Sequence, residues 1–163
     1  MIVTGLASLV DDASDRLILG TFPSEMSLGK KQYYANPRNQ FWKIMDKLFG
    51  ADYSAEYETK TSELLRQGVA LWDVLQSCER IGSSDKNIRH AQPNDLCSFL
   101  ENHPRIVQAF FNGICPRELV HKLLPDLLHN ERIGFLVLPS SSSNNSHIQF
   151  DEKARHWSVL KKK

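Results

Sequence analysis

A chain of 163 residues is long enough for one α/β domain with a proper core and too short for two. Hydrophobic residues make up 41% and charged residues 24%, which excludes a disordered tail, a collagen-like repeat and a coiled coil. The formal net charge of +1 excludes a generic cationic nucleic-acid binder, so any positive charge offered to DNA must be local. No apolar run approaches the ~20 residues of a membrane-spanning helix, and the first residues lack the basic n-region of a signal peptide. Cys78, Cys97 and Cys115 are odd in number with no C-x-x-C pair, so neither a disulfide framework nor a zinc site is expected. The expectation is a reduced, cytosolic, metal-free protein.

Residues 16–20 form a short apolar run closed by Gly20, followed by Thr21-Phe22-Pro23-Ser24, and read as a buried strand entering a Gly/Pro turn. From Asn39 the period becomes helical: Phe41, Trp42, Met45, Leu48 and Phe49 recur every three to four residues, and Gly50 is a stop signal. Residues 61–68 read as a short helix ending in Gly68, and 69–74 have strand chemistry. Asn94 or Asp95 caps a helix through Leu96, Phe99 and Leu100 that ends before Pro104. Residues 105–111 read as a third strand, broken by Asn112-Gly113, and a helix with Leu119, Val120, Leu123 and Leu124 follows Pro116. Residues 133–138 read as a fourth strand, closed by Pro139 and a polar loop, and 152–163 as a basic helix.

Strands that alternate with helices and are nearly all apolar imply a parallel sheet buried on both faces. With no repeat, linker or second composition regime, residues 1–163 read as a single domain. Ligands of open parallel sheets sit outside the carboxyl ends of the strands. Four segments converge there: 20–24, Asp73 with its neighbours, Asn112-Gly113, and 139–146.

Residues 20–24 together with 32–42, Gln-Tyr-Tyr-Ala-Asn-Pro-Arg-Asn-Gln-Phe-Trp, resemble the first motif of the uracil-DNA glycosylase superfamily. Residues 138–145, Leu-Pro-Ser-Ser-Ser-Ser-Asn-Asn, resemble the second. With Leu71-Trp72-Asp73-Val74 and Phe111-Asn112-Gly113 between them, the pattern is most similar to the hypoxanthine-DNA (deoxyinosine) glycosylase branch, over about Arg16 to Trp157. The resemblance implies a three-layer α/β/α fold with a central, mostly parallel sheet of about four strands. It implies a monofunctional DNA glycosylase that flips out a deaminated base, hypoxanthine in the first place, and hydrolyses its N-glycosidic bond in base excision repair. No lysine stands in a Schiff-base position, so lyase chemistry is not expected. The implied partner is DNA containing a deaminated base. No cofactor, metal or membrane is implied, and the protein is expected to be a monomer acting in the cytoplasm on bacterial or archaeal nucleoid DNA.

Three departures stand out. Phe22 occupies the place where many superfamily members carry a catalytic Asn or Asp, and in the branch resembled that role passes to the Asn matched by Asn39. Leu138 stands where many members put a His before Pro-Ser, which argues against the uracil-specialised branch. Ser143 and Asn144 stand where the branch usually has Pro and Ala.

An amide has no useful pKa for taking a proton, so Asn39 can only orient and hydrogen-bond an attacking water. Its other reading is a helix N-cap, which Asn favours. The base pocket implied by the motifs is Gly20, Phe22, Pro23, Phe41, Asp73 and Asn112, with Phe22 as a flat wall; Phe41 and Trp42 also fit the core stripe of their helix. Tyr33 and Tyr34 crowd the same motif. Asp73 stands where other branches place a base-reading Asn, and an ionised carboxylate would accept from the N1–H of hypoxanthine; a cap or turn role is its alternative. Asn112 is either a base-facing amide or a turn residue tolerating a left-handed backbone. Ser24, Arg38, Ser140, Ser142 and Asn145 are the DNA contacts, against a solvated linker for the serine loop. Ile148 or Phe150 either wedges into the base stack or packs beneath that loop.

Ser24, His147 and Asp151 supply the residue types of a hydrolase triad, but no Gly-x-Ser-x-Gly elbow is present, and no dinucleotide or Walker loop follows any strand. The remaining rivals are a uracil-DNA glycosylase and a non-catalytic DNA-damage binder. Positive charge is placed rather than general: Lys30, Lys31 and Arg38 beside the first motif, and Lys153, Arg155, Lys161, Lys162 and Lys163 after the second.

Overall fold

The structure, a computed structural model, describes residues 1–50 and 52–162. The chain begins with β1 (Ile2–Thr4), β2 (Arg16–Gly20), α1 (Glu25–Lys30), α2 (Phe41–Phe49) and α3 (Tyr57–Arg66). It continues through β3 (Val69–Asp73), β4 (Leu75–Glu79), β5 (Arg89–Pro93), α4 (Leu96–Asn102), β6 (Gln108–Asn112), α5 (Ile114–Leu123), β7 (Gly134–Leu138) and α6 (Phe150–Trp157). Four strands pair in parallel in the order β3-β2-β6-β7, with Gly20 opposite Asp73 and Asn112 opposite Leu138.

Strand alternation sorts the core into two faces. Leu17, Leu19, Ala70, Ala109 and Phe111 pack with Leu96, Phe99 and Leu100 of α4 and Val120 of α5. Ile18, Val69, Leu71, Phe110 and Leu138 pack on the other side with Phe41, Trp42, Ile44 and Met45 of α2, Leu64 of α3, and Trp157. The result is the expected three-layer α/β/α arrangement. Gly50 ends α2 with φ 68°, and Asp95 caps α4 by accepting the Ser98 N–H.

Burial on both faces does not extend to β7. It is an edge strand, and Leu136 and Val137 are 46% and 38% exposed. α5 begins two residues ahead of Pro116, which sits in the first turn where a helix has no use for its N–H. The expected basic helix over 152–163 is shorter: α6 stops at Trp157, a 3₁₀ turn covers Ser158–Leu160, and the expectation at Lys163 lies outside the described residues. Lys162 pairs with Asp15 at 2.7 Å, and the Arg16 guanidinium donates to the carbonyls of Leu160 and Gln67. The tail is thereby tied to the amino end of the sheet.

A second sheet was not expected. β1, β4 and β5 pair antiparallel in the order β1-β4-β5, and β4 leaves β3 after the single residue Val74. Its strands carry no apolar run; Leu75 and Cys78 are its buried hydrophobics, and the β4–β5 register is irregular. Among the described residues, no helix is long and apolar enough to cross a membrane.

Candidate active site at the strand carboxyl ends

The registers that align Gly20 with Asp73 and Asn112 with Leu138 leave four loops around one opening. They enclose a cavity of about 890 Å³, within the range of small-molecule sites. Gly20, Phe22, Pro23, Ser24, Arg38, Asn39, Asp73, Asn112, Ser140, Ser142 and Asn145 all line it. Phe41 does not. It is fully buried on the core stripe of α2, with Tyr34 stacked on it at 4.0 Å and Trp157 against its edge. Tyr34 takes the cavity position instead, held by a left-handed backbone (φ 54°) that is unusual for a tyrosine.

Asn39 lines the cavity and also serves the start of α2. Its Oδ1 accepts the Phe41 N–H at 2.9 Å, which satisfies an orphan donor at the start of α2, although the cap residue itself is Gln40. That bond also settles which end of the amide is oxygen. The Nδ2 group is left without a protein partner among the described residues, and a second lone pair remains on Oδ1.

Asp73 is 6% exposed, and its Oδ2 is buried without a hydrogen-bond partner among the described residues. Asn94 fixes the backbone there by donating to the Asp73 carbonyl at 2.8 Å. Burial, reinforced by the charge of Asp85 and opposed by Arg80, pushes the Asp73 carboxyl up to about 7. The expectation of a simple ionised acceptor is corrected accordingly: near neutrality this group stands between its two forms.

Asn112 is not in a left-handed conformation; Gly113 takes that role with φ 95°. Its Nδ2 donates to Tyr34 Oη at 3.1 Å and Ser141 Oγ at 2.9 Å, while its Oδ1 accepts the Ser141 N–H at 2.8 Å. Both amide hydrogens are therefore engaged inside the protein, and only an oxygen lone pair is open to a ligand.

The serine loop is not a loose linker. Ser141 is fully buried and its carbonyl accepts the Gln40 N–H at 2.9 Å. Ser140 Oγ accepts the Ser142 N–H at 3.1 Å, Asn145 Nδ2 donates to the Ser140 carbonyl at 3.3 Å, and Trp157 Nε1 donates to the Pro139 carbonyl at 2.8 Å. Lys153, 1% exposed, clamps the loop from below by donating to Gln40 Oε1 at 2.8 Å and the Asn145 carbonyl at 3.4 Å. Hydrogen bonds thus supply the stiffness that proline would supply at Ser143. The same contacts correct the reading of Lys153 as a DNA-facing cation.

The loop between β4 and β5 closes the remaining side and was missed from sequence. Ser83, Ser84, Asp85 and Lys86 line the cavity. Arg80 lies over the Phe22 ring at 5.0 Å and donates to the carbonyls of Pro23 and Gly82. Glu25 completes the clamp, its N–H donating to Ser83 Oγ at 3.0 Å and its Oε1 accepting the Gly82 N–H at 3.1 Å. One face of Phe22 is therefore covered by Arg80, which leaves the ring as a one-sided wall. No apolar run marks this loop in the sequence.

Of the placed cations, Arg38 lines the cavity, Lys30, Lys31 and Arg155 are exposed, and Lys162 is bound at the opposite end of β2. Ile148 lines the cavity, whereas Phe150 packs on the core beneath it with Lys43 over its ring. The Ser24, His147 and Asp151 set is not assembled: Ser24 caps α1 and Asp151 pairs with Lys47 at 2.8 Å.

A parallel four-stranded sheet with polar loops gathered at its carboxyl ends is the uracil-DNA-glycosylase type of fold. The solution NMR structure of a Methanosarcina acetivorans protein, described as a candidate uracil DNA glycosylase, matches with a TM-score of 0.83 and 32% identity, covering 98% of this chain and 97% of that one. No protein-family model matches the chain. A hypoxanthine DNA glycosylase of Methanosarcina acetivorans is 32% identical over 162 residues, 99% of each chain. Another from Methanosarcina barkeri is 32% identical over 110 residues, 67% of this chain and 70% of that one. The chain belongs to the hypoxanthine DNA glycosylases.

Proposed function

We propose that this protein hydrolyses the N-glycosidic bond of hypoxanthine in DNA, acting as a monomer on cytoplasmic nucleoid DNA. The observation that carries the reading is that Asn39 and Asp73 line one cavity: an amide with free hydrogen-bonding capacity, and a buried carboxyl with an oxygen that has no partner among the described residues. A nucleotide enters by flipping out of the duplex, at a cost of a few kcal/mol that is least for weakly paired bases. The base lies between the Phe22 wall and Tyr34, with its edge on Asp73. Asn39 orients the water that attacks an oxocarbenium-like sugar. Ser24, Arg38, Ser140, Ser142 and Asn145 hold the flanking backbone.

The test uses duplex oligonucleotides with a single hypoxanthine, uracil or xanthine, treated with alkali after incubation. Alkali-dependent cleavage at hypoxanthine is the expected result. Retention of deoxyinosine DNA without alkali-labile sites would show a damage binder rather than an enzyme. Faster release of uracil would move the assignment to the other branch. Leu138, 2% exposed and packed with the α2 core, offers that substrate no leaving-group donor.

Gly20 gives a sharp check on the pocket. A Cβ there would lie 2.5 Å from Asp73 Oδ1 and 3.4 Å from Tyr34 Oη. Gly20→Ala is expected to displace the carboxyl, lower stability by about 1–3 kcal/mol and cut base release more than tenfold. Thermal unfolding and single-turnover rates measure the two effects; wild-type values in both would place the carboxyl elsewhere.

Binding should weaken with salt on a shallow slope, because Lys153 is engaged internally and Lys162 pairs with Asp15 at the opposite end of the sheet. Arg38 and Lys86 at the rim, with Lys30 and Lys31 nearby, support a log–log slope of about 2–4. A titration with a slope near 10, as for a repressor, contradicts this footprint.

A further inference from the structure

Asp73 and Asp85 reach the same cavity from different elements, the end of β3 and the loop between β4 and β5. Asp73 is the buried member, with Oδ2 lacking a partner among the described residues. Asp85 is exposed as a residue at the rim, but its carboxyl is tucked beside Thr21 and the Cys115 thiol. Burial there raises it above the usual carboxylate range, while hydrogen bonds to these two groups and Arg80 oppose the rise. Its position is fixed, since its loop is clamped to the Phe22 turn through Arg80, Gly82 and Ser83.

We propose that Asp73 meets the substrate base as a neutral carboxylic acid, that Asp85 keeps it neutral, and that the pocket thereby selects bases presenting a lactam edge. This rests on the base-excision reading above and deepens it. A lactam edge is an N–H beside a C=O, as in N1–H and O6 of hypoxanthine. A neutral carboxyl offers one acceptor and one donor and pairs with both groups. An ionised carboxylate offers acceptors only. It would repel O6, whereas the neutral acid pairs with the lactam edge that hypoxanthine gains by deamination and that adenine and cytosine lack. The protonation state of Asp73 is therefore a specificity element, and a base edge seated there gives Oδ2 the partner it lacks.

The surroundings favour the neutral form. An unpaired buried carboxylate is costly, and of two carboxyls sharing one field the buried one gives up its charge first. Arg80 faces the pair: its guanidinium donates to the carbonyls of Pro23 and Gly82 and lies over the Phe22 ring. Its Nη1 has no hydrogen-bond partner among the described residues, and its positive charge opposes the neutral form without outweighing burial. Tyr33 and Tyr34 also face Asp73, and burial raises both phenols well above their usual range, so neither adds charge. Desolvation and then Asp85 push the Asp73 carboxyl up to about 7, with Arg80 opposing. The acid is thus neutral below that point and ionises as pH rises through it.

Single-turnover release of hypoxanthine from a deoxyinosine duplex, followed on the full chain from about pH 6 to about pH 9, tests this. The wild-type rate is expected to fall as pH rises through neutrality. Asp85→Asn should move that fall to lower pH, each unit of movement lowering the rate at a fixed alkaline pH about tenfold, with recovery at the acid end. Asp73→Asn, permanently neutral with a donor and an acceptor, should lose the fall across neutrality. A ¹³C NMR titration of the aspartate carboxyls without DNA reads the group directly: Asp73 near neutrality in the wild type and lower in Asp85→Asn. An Asp73 that titrates like an ordinary aspartate, or an Asp85→Asn profile superimposed on the wild type, overturns the inference and leaves base release standing. An Asp73 that titrates near neutrality in a protein yielding no abasic sites at any pH overturns the base-excision reading, and lactam selection with it.

Discussion

Asn39→Ala is expected to reduce single-turnover release of hypoxanthine by about 10²–10³-fold, the scale on which removing one pre-positioned hydrogen-bonding group from an active site is felt. The side chain has a structural duty as well, because its Oδ1 accepts the Phe41 N–H at 2.9 Å. Alanine therefore also removes a cap-like bond worth about 1 kcal/mol. Asn39→Asp separates the two duties. It keeps an acceptor for the Phe41 N–H, with a negative charge that suits a helix start, but it has no N–H₂ to turn toward a water or phosphate. Near wild-type thermal stability with release still depressed would place the Asn39 amide in the chemistry. Full base release by Asn39→Ala would remove Asn39 from it and leave only the cap.

Asn112→Ala should act through the loop rather than through direct contact with the base. It strands the buried Ser141 N–H and Oγ and takes the donor away from Tyr34 Oη, three bonds of 2.8, 2.9 and 3.1 Å. Leaving buried polar groups unmade costs about 2–4 kcal/mol for such a set. Because Ser141 also accepts the Gln40 N–H beside Asn39, the loop and the α2 entrance loosen together. Denaturant midpoints should fall, the Ser141 amide should lose hydrogen-exchange protection, and release should drop at least tenfold. Stability within about 0.5 kcal/mol of wild type, with unaltered release, would show that the loop holds its shape without this amide.

How much of this was readable in advance depends on the range of the interaction concerned. The four parallel strands and α2 were legible because apolar runs and a 3.6-residue stripe are written in neighbouring residues. The motif residues assembled as expected because strands entering one sheet in parallel must end on the same side, which gathers 20–24, Asp73, Asn112 and 139–146 without further instruction. Phe41 and Tyr34 could not be separated in that way. Both are aromatic, and only the backbone turn at Tyr34 decides which ring faces the cavity and which lies beneath it. Lys153 reads as a surface cation in any local window. It is buried because Gln40, far from it along the chain, and the Asn145 carbonyl of the loop ahead of α6 offer acceptors inside.

Taken alone, the sequence determined the class of fold, the end of the sheet that carries the cavity, and most of the residues that line it. Those properties follow from local periodicity and strand direction. Tertiary structure decided the state and supply of the groups there: the one-sided Phe22 wall under Arg80, the internally engaged Asn112, and the half-exposed second sheet whose loop brings Asp85 to the cavity. It also decided that Asp73 is poised near neutrality rather than simply ionised. Burial and like charge across a cavity set that balance, and both arise only when segments distant in the chain are brought together.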